Sequence, residues 1–450
     1  MRATTIAAQI SLFLIVIVGS AGMCLYWSRI ADAVHLSRAS SSTLKPKALT
    51  DLYPSWYAAR ELLLRHRDPY GAEVNRELQI AFYGRELDPS RPEDQRDQQR
   101  FAYPLYFVFF IAPLAWMPFH TAQIIFWWIL LACAAFAVFL WLRFLRLRLS
   151  LPARTILFVL VLTSVPVMQN LSVLQPFLLP ACLIAGAAAA MASGRLFLAG
   201  ALLAAATVKP QICLLPMAWF VFWVSSDWKR RQSLFWGFAV TLSALILASE
   251  WLLPGWLIRY PGVLRAYAEY TQATSFLGRI LPSPWHWLLT MLALAAVATL
   301  CWRERRQPAG SAAFAIALSS VLALTVLIIP AVVQPFNHVL LLPSILLVIR
   351  HWPELRKTKL TMRIATSLFC LFTFLPWPLA VVTVGNPLAP NRDWFLKTWS
   401  LPLAASMILP FIASGMLILL WSLVATRSTS LRAAGGPSHL PVLATMDEQP

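Results

Sequence analysis

A few polar side chains stand in this sequence where chemistry could use them. Asp51, in Thr50-Asp51-Leu52-Tyr53, precedes an amphipathic stretch and faces apolar segments. A carboxylate there can take a proton from a hydroxyl nucleophile; it can also cap the helix that follows. Lys209, in Lys209-Pro210-Gln211, interrupts an apolar run with no acid nearby in the chain. A charged Lys in a membrane segment costs about 2.5–3.5 kcal/mol on insertion scales, so it has an anionic partner or a function, or it snorkels to the surface. A phosphate suits such a point charge. His338, in Gln334-Pro335-Phe336-Asn337-His338, could donate to a phosphate or a sugar hydroxyl, or be a satisfied helix-end histidine. Arg279 is a second candidate for an anion, or a plain surface arginine. Asn170 and Gln175 flank the ends of two apolar spans, and Glu250 is the one carboxylate inside such a span. There is no Gly-rich phosphate loop, Ser/His/Asp cluster or paired metal-ligand motif in the sequence. A nucleotide-dependent catalytic domain is therefore not expected, and energy must arrive with the substrate or from a gradient.

The elements that position these groups follow from composition. Of 450 residues, 59% are hydrophobic types and 12% charged, with a mean hydropathy of +0.66. A soluble domain has about 45–50% apolar and about 25% charged residues, so a soluble enzyme, a disordered chain and a fibrous one are excluded. Six cysteines lie singly in apolar stretches without CxxC spacing, which argues against a disulfide framework or structural zinc. The class is an all-α polytopic membrane protein. Apolar spans lie near 6–26, 120–142, 152–171, 173–192, 196–208, 211–225, 232–253, 283–302, 311–332, 336–350, 361–384 and 400–425. The segment 6–26 lacks a small-residue cleavage site and reads as a retained first helix rather than a signal peptide.

The net charge of +18 is a topology signal. Six basic connections or ends, with Arg2, hold 19 of the 37 Lys and Arg and only five acids, whereas the loop 27–101 carries 12 basic and 11 acidic residues. Short cytoplasmic loops concentrate Lys and Arg, so no nucleic-acid partner is implied. All six basic sites fall inside only if 102–118 does not cross. Its three prolines, Pro104, Pro113 and Pro118, break the ladder of a simple spanning helix, and a re-entrant or interfacial hairpin is expected. About twelve helices remain, with both termini cytoplasmic. The domain covers 1–425, and the Ser/Gly/Pro-bearing tail 426–450 reads as disordered. In loop 27–101, residues 52–66 and 73–86 have helical periodicity and read as surface helices, joined by Asp68-Pro69-Tyr70-Gly71. The polar run 85–100 reads as a mobile solvated loop. Chemistry should lie on the outer face, where this loop, Gln169 to Gln175, the 207–211 turn and loop 254–282 gather.

Taken together these segments resemble the polyprenol-phosphate-sugar-dependent glycosyltransferases of the GT-C fold, and more narrowly glycosyltransferase family 87. The resemblance runs from about residue 6 to 425. Asp51 is followed by Trp56-Tyr57-Ala58-Ala59-Arg60, then by Asp68-Pro69-Tyr70, by a YPP-type element at Tyr103-Pro104-Leu105 with Pro113-Leu114-Ala115, by an N…GQ element from Asn170 to Gln175, by Lys209-Pro210, and by His338 at a helix start. Three positions depart from the pattern: Leu105 replaces the second Pro, His66-Arg67 stand where a Gly precedes DPY, and Leu174 replaces the Gly before Gln175.

The resemblance implies a bundle with a large extracytoplasmic first loop that supplies a catalytic Asp, here Asp51. It implies a polyprenyl-phosphate-linked sugar donor, typically carrying mannose, a lipid or glycan acceptor, and a bacterial plasma membrane. Inverting transfer would place Asp51 as base. Lys209 and Arg279 would hold the donor phosphate, His338 would add a hydrogen bond, and Gln175, Asn170 and Tyr103 would contact donor or sugar. No cofactor or metal is called for, because cationic side chains can neutralise the phosphate. A lipid or oligosaccharide transporter or flippase is the competing class, and a polymerase of lipid-linked glycans a third.

Overall fold

The computed structural model describes residues 2–31, 49–88, 90–91, 94, 97–330, 332–385 and 398–433. Among them every regular element is helical. The helices are α1 Arg2–Tyr26, which ends in a π turn to Ala31, α2 Leu52–Arg65, α3 Ala72–Tyr83, α4 Phe107–Ala115, α5 Phe119–Phe144, α6 Leu151–Leu162, α7 Val165–Val173, α8 Leu178–Ala192, α9 Leu196–Ala206, α10 Pro210–Ser225, α11 Trp228–Leu252, α12 Trp256–Thr271, α13 Phe276–Ile280, α14 Trp285–Glu304, α15 Ala312–Ile328, α16 Leu342–Arg350, α17 Trp352–Leu355, α18 Leu360–Phe374, α19 Pro376–Gly385 and α20 Leu401–Ala433. A 3-10 segment, Pro335–Leu341, leads into α16.

The protein is a helical membrane protein. Six helices are long and apolar enough to cross a bilayer, seven if α6 and α7, bent by 49°, count as one span. The sequence leads one to expect about twelve. The other five expected segments are helical but shorter, as α8, α9, α10, α15 and the 3-10 segment with α16. At 1.5 Å per residue, the 11 residues of α9 reach only about half of a hydrocarbon core ~30 Å thick. Of these short helices α15 fills the interior, while α9 and α10 expose apolar side chains such as Phe197, Leu198, Leu214 and Val221. Residues 313–328 of α15 are all buried, as expected of a helix apolar on every side. α9 and α11 cross backbone to backbone: a Cβ added at Gly200 would lie 2.0 Å from Leu234 O, and one at Gly237 2.1 Å from Phe197 O. Small residues let membrane helices approach this closely. We expect Gly237→Leu to lower the melting temperature and the monodisperse yield sharply, since overpacking costs about 1–3 kcal/mol or more. Gly415→Ala, at a position with open space, should change neither; both are read by thermal denaturation in detergent.

The first loop folds onto one end of the bundle, termed here the loop end; the opposite end carries the arginine-rich connections. α2 buries Leu52, Trp56, Ala59 and Leu62 against α4. Trp56 Nε1 donates to Leu114 O at 2.9 Å and Arg60 Nη1 to Ala115 O at 3.1 Å, satisfying carbonyls that a helix end leaves open. With nine residues, α4 is about 13 Å long, less than half a membrane. Arg67 ties α2 to α3 through Glu61 (2.7 Å), Glu77 (2.9 Å) and Glu73 (3.3 Å). In the run 85–100, expected as a mobile solvated loop, several of the described residues are hydrogen-bonded. Arg85 pairs with Asp94, Asp94 also accepts from the Asp88 backbone at 2.8 Å, and Tyr83 Oη donates to Asp97 O at 2.7 Å. Its polar side chains bond to one another, which the composition of the run does not reveal. α20 continues past residue 425 to Ala433; the rest of the expected tail lies outside the described residues, as does most of the 385–399 turn.

A candidate active site at the loop end of the bundle

Asp51 sits where α2 begins, and its backbone N–H donates to Val173 O, at the end of α7, at 2.9 Å. This bond anchors the returning loop to the bundle. Asp51 occupies the N-cap position of α2, yet its side chain makes no capping bond. Oδ2 accepts instead from Gln175 Nε2 at 2.9 Å. Gln175 Oε1 in turn accepts from the Tyr103 hydroxyl at 2.8 Å. Gln175 reaches back because Leu174 takes a left-handed conformation, φ 52°. That is the position where the family pattern has glycine, the residue that adopts this conformation without a steric penalty. His66, standing before the DPY turn, is left-handed too, with φ 54°.

Lys209 caps the start of α10, and its residue is 7% exposed. Its ammonium lies 4.9 Å from the centre of the Phe177 ring and 5.3 Å from that of Phe336. Cation–π attraction holds it there, and no ion pair or hydrogen bond within the described residues neutralises it. An ammonium gripped by rings and left without a counter-ion is prepared for an anion. Its charge also reaches Asp51. Burial drives the Asp51 carboxyl up to about 7, the nearby Asp97 charge adds to the rise, and Lys209 opposes it. A carboxylate near neutrality suits general-base work.

Asn170, expected beside the sugar, is fully buried. Its amide donates to Pro166 O at 2.8 Å and to Phe336 O at 2.9 Å. It ties the 3-10 segment, and with it the Phe336 ring that meets Lys209, to α7, and its Oδ1 is buried without a hydrogen-bond partner. His338 and Phe336 are two residues apart, and a 3-10 helix has 3.0 residues per turn, so their side chains leave it about 120° apart, on different sides. Its ring is buried with neither nitrogen hydrogen-bonded, packs 6.5 Å from the Phe276 ring, and faces the Ser406 backbone without hydrogen-bond geometry. It stands at one end of an apolar cavity of about 240 Å³ lined by α6, α16, α18 and α20, including Ile156, Leu160, Leu342, Ile345 and Phe372. Arg279 is on α13 beside Phe276, with its side chain exposed. Thus Asp51, Tyr103, Gln175 and Lys209 converge, while His338 packs against α13, the helix that carries the exposed Arg279. Glu250 closes the end of α11 by accepting from the Gly255 N–H.

Sequence reasoning missed part of the recess. α12 lies across its mouth: Tyr260 Oη donates to Ala102 O at 3.4 Å, and Arg259 pairs with Asp68 of the DPY turn. Tyr70 of that turn donates to Tyr103 O at 2.7 Å. The Tyr267 hydroxyl is pushed up to about 12 by burial and by the charges of Asp97 and Asp51. The signal was in the sequence, since Trp256, Tyr260, Val263, Tyr267 and Tyr270 recur at helical spacing.

The bundle is all-helical, and at one mouth it brings a half-buried carboxylate within reach of the charge of a buried ammonium. The model of glycosyltransferase family 87 matches residues 101–330. The chain belongs to that family, and it is a membrane glycosyltransferase. The match takes in Tyr103, Asn170, Gln175, Lys209 and Arg279, while Asp51 and His338 lie outside it. No curated protein and no solved structure matches the chain.

Proposed function

We propose that the protein moves a hexose, mannose in the first instance, from a polyprenyl-phosphate sugar to a lipid or glycan acceptor on the extracytoplasmic face, with inversion. The observation that carries this reading is the pairing at one recess of a carboxylate raised to about 7 with an ammonium held between two aromatic rings and, among the described residues, in no ion pair. Asp51 takes the proton of the acceptor hydroxyl. The acceptor oxygen bonds to the anomeric carbon as the bond from that carbon to the phosphate oxygen breaks. Polyprenyl phosphate leaves, and Lys209 stabilises the charge it gains, the electrostatic help that lowers such barriers most. Tyr103 and Gln175 hold Asp51 in register, and fixed geometry of this kind contributes to rate by itself. Arg279 stays available at the entrance for the phosphate. The loop end faces outward and the arginine-rich end the cytoplasm of a bacterial plasma membrane, a sidedness supported by the charge asymmetry.

The cavity below His338 supports a donor with an isoprenoid tail, since it is apolar along its length and runs between helices that border lipid. Filling it with Ile345→Trp should raise the donor KM about tenfold, equivalent to about 1.4 kcal/mol, while a short-chain soluble donor is used as before. The reading is tested with purified protein in proteoliposomes. Mannose should pass from polyprenyl-phosphate-mannose to a lipid extract of the host, and not from a nucleotide sugar. Absence of transfer from every polyprenyl-phosphate sugar would refute it.

A further inference from the structure

An apolar groove of about 280 Å³ runs between α16 and α18 toward the arginine-rich end of the bundle. Ile345, Ile349 and Trp352 line it at helical spacing from one side, and Cys370, Thr373 and Phe374 from α18. The Thr373 hydroxyl is bonded to Phe369 O at 2.6 Å, so the lining calls for an apolar occupant. Ile349, Trp352 and Phe374 are exposed, which leaves the groove open to the bilayer. It adjoins the cavity below His338, sharing Ile345, Ile349, Thr373 and Phe374 with it, while Trp352 and Cys370 belong to the groove alone.

Helical register sets cations at the mouth of this groove. Arg356 follows Trp352 by one turn, and its N–H donates to Trp352 O at 3.1 Å. Arg363 stands on the same face of α18 as Cys370, about 10 Å nearer the start of the helix at 1.5 Å per residue. Lys359 occupies the N-cap position at that start. All three side chains are exposed, and none enters an ion pair among the described residues. Glu354 is the one acid in 350–363, and it is bonded to His351 Nδ1 at 3.0 Å. Arg350 is engaged elsewhere, donating to Leu145 O at 2.8 Å.

An apolar groove that ends in unpaired cations matches a molecule with a long apolar chain and an anionic head. Basic pockets between membrane helices on the cytoplasmic side take lipid head groups of that kind, and a chain plus a polybasic patch holds more firmly than either alone. Basic loops by themselves orient a membrane protein, but that task needs no groove beside them. We propose that this groove binds an anionic phospholipid, with one acyl chain between α16 and α18 and the phosphate held by Arg356, Lys359 and Arg363. The sidedness proposed above puts the site in the cytoplasmic leaflet, opposite the transfer chemistry, so its lipid is neither donor nor acceptor.

The test titrates the full chain in a neutral detergent with dioleoylphosphatidylglycerol, dioleoylphosphatidylcholine or undecaprenyl phosphate, and native mass spectrometry counts the bound lipid. The wild type should hold phosphatidylglycerol at least about tenfold more tightly than phosphatidylcholine, and undecaprenyl phosphate should not displace it. Arg356→Gln, Lys359→Gln and Arg363→Gln together should weaken phosphatidylglycerol by a similar factor. Cys370→Trp, which fills the groove and leaves the cations in place, should weaken it as much. Both variants should keep the wild-type melting temperature in phosphatidylcholine. Equal affinity for the two phospholipids, displacement by undecaprenyl phosphate, or binding unchanged in either variant would overturn the proposal. The assay contains no sugar donor, so its outcome is separate from that of the transfer reaction.

Discussion

Asp51→Asn protein should insert and fold, and transfer sugar about 10²–10⁴-fold more slowly than wild type, the usual contribution of a positioned general base. Asn keeps an oxygen to accept from Gln175, so the arrangement of Tyr103, Gln175 and residue 51 survives while the basic electron pair is lost. The pH profile separates this from a packing defect. Asp51 is basic only when ionised, and its carboxyl sits at about 7. Wild-type activity should therefore climb with pH through about 7 and fall tenfold per unit below it, and the variant should lack that limb. Stability should move the other way. Between the ordinary carboxyl range and about 7 the folded chain holds a proton that the unfolded chain has released, so ionised Asp51 weighs against folding as pH rises. The variant's melting temperature at pH 8 should equal or exceed that of the wild type; a marked fall would assign Asp51 a structural role.

The second large effect is expected at Lys209. Lys209→Met fills the space between Phe177 and Phe336 with a chain of similar length and no charge. Transfer should drop about 10²–10³-fold, the scale seen when a preorganised electrostatic group is removed from a developing anion. Removing the ammonium also removes the one charge that draws the Asp51 carboxyl down, so the acid limb of any residual activity should shift to higher pH. Lys209→Arg should restore little, because a planar guanidinium is not interchangeable with a compact ammonium in a slot set by two rings 6.2 Å apart. Rates and pH profiles in proteoliposomes check each statement, and an unchanged profile in Lys209→Met would remove Lys209 from the site.

Much of this was legible in the chain. Apolar runs and the arginine distribution mark the helices, and the spacing in 52–66 and 73–86 marks two surface helices found at Leu52–Arg65 and Ala72–Tyr83. What stayed hidden depends on long-range placement. Phe177 and Phe336 meet at Lys209 from distant parts of the sequence, and no local pattern pairs them. His338 looked like a partner of Lys209 because both interrupt apolar runs, but the 3-10 turn points it toward another cavity. The polar run 85–100 has the composition of a solvated loop, and no pattern in it foretells that Arg85 pairs with Asp94 or that Gln99 bonds to Asp97. Helix lengths were overestimated where a short apolar helix reads like a span, as in α9.

The amide of Gln175 has an effect on the carboxylate it touches. Ionised Asp51 requires a donor at Oδ2, which turns the amide nitrogen toward Asp51 and leaves Oε1 to receive the Tyr103 hydroxyl. Oδ2 is thereby engaged, and among the described residues Oδ1 has no partner. The two oxygens of one carboxylate are made unequal, one tethered and one basic. In the proposed transfer the acceptor's proton would then be drawn along a single direction, set by a glutamine and a tyrosine that need not touch the sugar.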